Sequence, residues 1–332
     1  MSQITINDVA RAAGVSKRTV TRVMNDEPGA KAETKEKVLA VIEQLGFTPN
    51  VLARRLARGL TGIIGVFAYE EVFPVERKNF FYPFLEGIEL QAHRLGYDLL
   101  LFTQGPRGEE RSMFHGNQNR TQIADGLVIL GARVNRDDLG RLQEARTPFV
   151  CIGRRTGSQG LVNWVSGDYI AGFCQATRHL MELGHSKIAF FGSVRFVAQI
   201  DKRSGYRRAM AEAGLAPLEL EDEDIGEVGT LVREGRITAI IASEARGIGN
   251  IYQDLLEQDL NVPADVSLIG FDKQDTLVNG VQLSYVQMPK EDMAMRAVSL
   301  LVDKLGQKEY EDTEQMELPC EFVIGDSLAS PK

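Results

Sequence analysis

Apolar positions follow two textures along this chain. Up to about Gly59 they recur at helical spacing in short segments; from Gly62 onward they gather in continuous runs between amphipathic stretches. In the first texture, Ile6 to Ala13 reads as a helix. Thr5 is its N-cap, Asp8 follows three residues on, Ala10, Ala12 and Ala13 are small, and Gly14 makes a turn. Ser16 can cap a second helix running to Val23, and Val9, Val15, Val20 and Val23 close a small core behind it. That second helix turns Lys17, Arg18 and Arg22 outward, a basic and hydroxylic face suited to a groove lined with acceptors and phosphates. A turn-rich loop, Asn25 to Gly29, leads to a third helix from about Ala32 to Leu45, with Val38, Val41, Ile42 and Leu45 inward and Gly46 as its stop. Val51 to Arg58 then places Leu52 and Leu56 four apart, with Arg54, Arg55 and Arg58 on other faces. Alone it is too short for a stable helix in water, and a flexible basic linker is the alternative to a hinge helix.

The second texture predicts an α/β fold. Strand-like runs are GIIGVFA, YDLLLF, DGLVIL, PFVCIG, KIAFFG, TAIIAS, VSLIGF and VQLSYV. Helical stretches such as FLEGIELQAHRLG, GFCQATRHLMELG and RAVSLLVDKLG lie between them, and Gly96 and Gly184 end helices just before a new strand. Continuous apolar strands alternating with helices imply parallel sheets covered on both faces. Two stretches break the pattern. Glu70 to Asn79 is a charged, proline-containing insertion predicted to be a mobile loop, and Pro106 to Gln122 offers only Met113 and Phe114 to a weak crossover helix.

Charge changes the picture more than composition does. The chain has 332 residues, 43% hydrophobic and 25% charged, room for two or three ordinary soluble domains. Its net charge is −8, yet residues 1–60 hold ten Lys/Arg against six Asp/Glu, which is +4 and leaves −12 for the rest. A basic head on an acidic body suits a polyanion at one end. No apolar run approaches the roughly 20 residues of a membrane span and no signal-peptide core opens the chain, so a cytoplasmic protein without membrane contact is expected. Cys151, Cys174 and Cys320 lie far apart in apolar settings and read as reduced core thiols.

Catalytic motifs are missing. Gly59, Gly62 and Gly65 lack dinucleotide-fingerprint spacing and precede a strand, and there is no P-loop, HExxH, CxxC or Gly-x-Ser-x-Gly elbow. His179 and His185, six apart, are not spaced to share a metal from one helix. The sequence therefore predicts no enzyme, no catalytic residues, no metal and no cofactor.

TINDVARAAGVSKRTVTRVMN, TKEKVLAVIEQLGFTPN and LARRLARG resemble the headpiece and hinge of the lactose-repressor (LacI-type) family of bacterial transcription regulators. More loosely, YPFLEGIE, DGLVIL, LGHSKIAFFG, SGYRRAM, VPADVSLIGFD and FVIGDS resemble its regulatory core, out to about Ser327. The resemblance implies a helix-turn-helix head over 1–48, a hinge segment over 49–60, and an effector-binding and dimerisation core over 61–332. That core is implied to have two parallel-sheet lobes, periplasmic-binding-protein-like, lobe one about 61–160 and 288–316 and lobe two about 161–287 and 317–332. It implies contact of Thr5, Ser16, Lys17, Arg18, Thr19, Thr21, Arg22 and Asn25 with double-stranded, near-palindromic operator DNA. The hinge would add Asn50, Arg54, Leu56, Ala57 and Arg58, with Leu56 wedged into the minor groove.

For the cleft between lobes, the same likeness points to Asp272 of GFD, Lys202 three residues before Gly205, and Arg154 after the fourth strand. Ser193, Ser243, Phe80, Tyr82 and Phe196 join them as candidate effector contacts. Gly153, Ser243-Glu244-Ala245, Gly167-Asp168 and Gly325 depart from the usual sugar-binding pattern. Two cations against one carboxylate tilt the expected effector toward a phosphorylated or acidic sugar derivative. Control by a partner protein, or no effector, is the alternative. A sugar-transport protein is the rival that the basic head argues against. With no leucine heptads before Lys332, the expected assembly is a homodimer, acting as a repressor.

Overall fold

The computed structural model describes residues 5–24, 31–45, 60–70, 79–103, 111–116, 118–273, 277–278, 280–305 and 312–332. The chain divides into two compact units, Met1–Gly62 and Ile63–Lys332. In the first, α1 (Ile6–Ala13), α2 (Lys17–Met24) and α3 (Ala32–Leu45) enclose buried Val9, Ala13, Val20, Val23 and Val38. Asp8 accepts hydrogen bonds from the Thr5 N–H at 3.0 Å and from Thr5 Oγ1 at 2.7 Å, which fixes the start of α1. Gly14 sits at φ 66°, and the next N–H, of Val15, reaches back to Ala10 O at 3.0 Å. That left-handed C-terminal turn is open to glycine at little cost. The Thr19 N–H then donates to Ser16 Oγ at 3.1 Å, capping α2 as its sequence predicts.

The second unit alternates β1 (Ile63–Ala68), α4 (Tyr82–Arg94), β2 (Asp98–Phe102), β3 (Gly126–Leu130), α5 (Arg136–Glu144), β4 (Phe149–Ile152), β5 (Trp164–Asp168), α6 (Tyr169–Glu182) and β6 (Ile188–Phe191). It continues with α7 (Val197–Glu212), β7 (Leu218–Leu220), α8 (Val228–Arg233), β8 (Ala239–Ala242), α9 (Ala245–Glu257) and β9 (Ser267–Phe271). β10 (Ser284–Gln287), α10 (Lys290–Leu305), β11 (Gln315–Pro319) and β12 (Glu321–Val323) follow. One sheet has the order β11-β5-β4-β3-β1-β2 and is parallel throughout. The other has the order β7-β6-β8-β9-β10-β12, parallel except for β12. These are the two expected lobes.

Three short crossings join them, at Asp168–Tyr169, Gln287–Lys290 and Pro319–Glu321. Strands β5 and β11 lie in the first sheet, so lobe one reaches to 168 and to 319, beyond the expected 160 and 316. Their sequences, WVSGD and QMELP, carry too little continuous apolar character to mark them as sheet strands. The weak crossover helix expected before Gln122 is absent among the described residues. A short ribbon, Phe114–His115 with Gln118–Asn119, stands there instead, over a buried Met113.

Local choices explain the close packing. A Cβ at Gly205 would lie 2.4 Å from Ile170 O, so the glycine of SGY lets α7 press against α6. The adjacent Tyr206 hydroxyl donates to Ile188 O at 2.8 Å and accepts from the Leu218 N–H at 2.8 Å, tying β6 to β7. The last segment weaves lobe two together. Ser327 Oγ donates to Leu268 O at 2.6 Å and accepts from the Ser284 N–H at 2.8 Å.

Candidate functional site

The head presents α2. Lys17 and Arg18 are exposed and Arg22 is half-buried. The hydroxyls predicted to share that face are already engaged: Ser16 Oγ with the Thr19 N–H and Thr19 Oγ1, Thr21 Oγ1 with Lys17 O at 3.0 Å, Thr5 with Asp8. The structure thus gives Thr5, Ser16, Thr19 and Thr21 helix-shaping bonds and leaves the cations as the outward groups. Asn25, Asn50, Arg54, Leu56, Ala57 and Arg58 lie outside the described residues, as do most of the 49–60 hinge and the 71–78 loop.

The cleft is built from strand C-termini, where parallel α/β sheets expose polar loops. Asp272 follows β9, is 3% exposed, and holds φ 66°, a left-handed conformation rare for a non-glycine residue. Gln287 Nε2 donates to its Oδ1 at 3.1 Å, and Lys290 forms an ion pair with its Oδ2. Lys202, from α7, is buried as well. Its ammonium donates to Ser243 O at 2.8 Å and stands 3.1 Å from the Phe271 ring centroid, with Tyr169 and Phe173 beyond. Burial pushes the Lys202 ammonium down to about 7, opposed by the charges of Glu244 and Asp272. Glu244, at the start of α9, accepts hydrogen bonds from Gln199 Nε2 and, at 3.4 Å, from Ser193 Oγ.

Lobe one supplies the facing wall. Arg154 forms an ion pair with Asp201 of α7, a bond that crosses from one lobe to the other. Burial raises the Asp201 carboxyl and the Arg154 charge opposes that rise. Glu70 Oε1 accepts from the Ala132 and Arg133 N–H groups at 2.8 and 2.9 Å. Its other oxygen and Arg155 Nε are buried without a hydrogen bond among the described residues, as is Ser243 Oγ.

Of the predicted effector residues, the structure brings Asp272, Lys202 and Ser243 into one buried ridge along the ends of β8 and β9. Ser193 and Phe196 line a neighbouring cavity of about 180 Å³ with Gln199, Glu244, Arg195 and Arg133. Phe80 meets the ridge through Lys290, whose ammonium lies 4.1 Å from its ring centroid. Arg154 is held apart by Asp201, and Tyr82 begins α4 outside both cavities described here. A larger space of about 940 Å³ opens over Asp272, Gln287 and Lys290, walled by Asn79, Pro83 and Pro319–Glu321. The departures have steric reasons. At Gly325 a Cβ would lie 2.4 Å from Gln282 O, and at Gly167 2.9 Å from Cys320 Sγ.

Sequence reasoning missed Lys290, Gln287, Asp201, Gln199, Glu70 and Arg155. Asp201 and Arg155 adjoin residues that were singled out, which was the available signal. Lys290 had none, standing in an ordinary helix start, Met288-Pro289-Lys290-Glu291. His185 is no metal-ligand candidate here, since its ring is taken by Thr238 Oγ1, Ser267 Oγ and Ala329 O.

Comparison with known proteins places the chain in a family. Residues 5–50 match the family model of bacterial regulatory proteins, lacI family, and residues 177–328 match the periplasmic binding protein-like domain. Catabolite control protein A of Priestia megaterium is 31% identical over 330 residues, 95% of this chain and 96% of that protein. The chain belongs to the lacI family of bacterial regulatory proteins. The lacI-family fold extends over the whole chain: the lac repressor dimer bound to operator and the anti-inducer ONPF superimposes with a TM-score of 0.75 at 22% identity, covering 99% of this chain and 100% of that one. A transcriptional regulator CelR–cellobiose complex gives 0.65 at 25% identity, covering 98% and 99%. As a lacI-family member this protein is a helix-turn-helix transcriptional regulator, and its relatives are regulators, not enzymes. Among the described residues, no helix is long and apolar enough to cross a membrane.

Proposed function

We propose that this regulator is a homodimeric, sequence-specific repressor whose hold on near-palindromic operator DNA is set by a small polar ligand between its lobes. The observation that carries the DNA half is α2, exposed, capped, and with Lys17, Arg18 and Arg22 as its outward charges. The ligand half rests on the ridge of Asp272, Lys202 and Ser243, where buried polar groups converge on strand ends. The CelR–cellobiose likeness supports a carbohydrate as the ligand.

Two ligand chemistries compete. A phosphorylated or acidic sugar would draw on Arg154 and Lys202. Each of those has an internal partner, Asp201 for one, and Ser243 O with the Phe271 ring for the other. A neutral polyhydroxyl compound needs only donors and acceptors, which Ser243 Oγ and the second oxygen of Glu70, both without a hydrogen bond among the described residues, can supply. The neutral sugar is therefore the better reading. The second reading, control by a partner protein with no small effector, is favoured by one observation: the ion pairs Arg154–Asp201 and Asp272–Lys290 join the two lobes directly across the cleft.

The test is a thermal-shift and calorimetric panel on the full chain with neutral sugars, sugar phosphates and sugar acids, followed by operator binding with each hit. Binding of a neutral sugar that alters operator affinity is expected. Phosphates binding alone would reverse the choice of class, and no binding by any class would transfer control to a partner protein.

A further inference from the structure

Asp272 belongs to the proposed ligand ridge, yet its carboxylate is held by Lys290, a residue to which the effector reading gives no role. Asp272 belongs to lobe two, and Lys290 is the first residue of α10, whose body packs in lobe one. They are 3% and 6% exposed. A cation at the first position of a helix stands at the positive end of the helix dipole, so local preference argues against a lysine there. Full burial argues against it again, because an ammonium loses its hydration. What offsets both is a shaped receptacle: the Asp272 carboxylate on one side, the Phe80 ring face 4.1 Å from the ammonium on another. Gln287 Nε2 fixes the carboxylate by donating to Oδ1 at 3.1 Å and donates to Met288 O at 2.8 Å. A carboxylate held in place beside an aromatic face is what recognises a primary ammonium group.

We infer that Lys290 is a tethered occupant of the ligand site: its ammonium fills the place on Asp272, against the Phe80 ring, that an external ligand would otherwise take, and it thereby determines which ligands the cleft admits. The inference rests on the reading of the cleft as a ligand site, but the receptacle itself can be tested without knowing the effector. A ligand that reaches Asp272 has to displace Lys290 and supply donors to the carboxylate in its place, since removing the cation alone strands a buried carboxylate. Ligands offering a single hydroxyl at this point are excluded, and those with an ammonium or several donors are favoured.

Lys290→Ala removes the ammonium and most of its stem, and n-propylammonium replaces what was cut away. The full-length variant is expected to melt several degrees below wild type. Millimolar n-propylammonium chloride should then raise its melting temperature saturably, beyond an equal concentration of sodium chloride. Wild type, with its site filled, should not respond, and neither should Lys290→Ala/Asp272→Asn, which has lost the carboxylate. Equal responses in wild type and variant, or undiminished rescue in the double variant, would overturn the inference. Should Lys290→Ala fail to fold, Lys290→Met keeps the apolar stem. A thermal cycle of Lys290→Met, Asp272→Asn and both together must then show the double variant melting above the sum expected from the singles, and strict additivity overturns the pair. Rescue by the amine with no sugar bound by any variant would uphold the receptacle and defeat the carbohydrate reading alone.

Discussion

Arg18 stands exposed in the first turn of the second helix, where side chains reach base edges in the major groove. Its guanidinium matches the two acceptors of guanine, which no hydroxyl on the same face can do bidentately. Arg18→Ala is expected to cost about 1–3 kcal/mol at the operator and to relax preference at one base pair per half-site. Arg58→Ala, a phosphate contact in the family likeness, should weaken all sequences alike and flatten the salt dependence. Binding-site selection compares the two, and an unchanged consensus for Arg18→Ala would remove that residue from the reading set. At this scale the sequence was legible as to placement: Lys17 and Arg18 face outward, and Asp272, Lys202 and Ser243 come together. It was not legible where two distant residues consume each other's charge. Arg154 counts as a free cation until Asp201, 47 residues later, is seen to neutralise it. The expectation of an anionic effector rested on counting both Arg154 and Lys202 as available cations.

The second helix of the head depends on its first residue contact more than its length suggests. Eight residues hold little helix by themselves in water, so the cap and the valine core carry it. Removing the Ser16 hydroxyl takes one of two acceptors from the Thr19 N–H, leaving it Ser16 O at 2.9 Å, and frees Thr19 Oγ1. Ser16→Ala should destabilise the head by about 1 kcal/mol, near the usual worth of an N-cap. Faster amide exchange at Thr19 and Val20, with operator affinity falling at low head stability, would show it; unchanged exchange would make the cap dispensable. Element boundaries here were readable because caps, glycine turns and helical spacing agree. The same holds for the continuous core runs. Trp164–Asp168 and, at the sheet edge, Gln315–Pro319 escaped, since strands recruited by pairing need no apolar run of their own.

At the scale of the regulatory unit, His185 fastens lobe two to the residues that end the fold. Its ring contacts Thr238 Oγ1 at 2.8 Å, Ser267 Oγ at 3.1 Å and Ala329 O at 2.8 Å. Burial holds its pKa below the ordinary 6.5, with the Ala329 carbonyl opposing. The folded chain therefore prefers the neutral ring, whereas the unfolded chain takes up a proton near 6.5. Its stabilising contribution is complete above that value and is lost as pH falls toward the lowered folded value. Wild type should lose more melting temperature than His185→Gln between pH 7 and pH 5, a comparison in which the shared carboxylates cancel. Parallel curves would mean that the ring titrates alike in both states. The parallel α/β texture was visible from the alternation of runs and helices, and its division into two lobes came from the family resemblance. The lobe boundaries were not, because the three crossings are only a few residues each and carry no composition of their own.

The third crossing has a consequence for biosynthesis. Glu321–Val323 pairs against Ser284–Gln287, and Ser327 and Ala329 bond to Leu268 and Ser267, so lobe two is finished by residues made after every element of lobe one. Emerging from the ribosome, the nascent chain exposes the Ser267–Phe271 and Ser284–Gln287 strands before the segment that covers them has been translated. Lobe two thus cannot mature co-translationally as a separate module, and a premature stop after Pro319 would leave a sticky, unpaired sheet edge rather than a shorter working regulator.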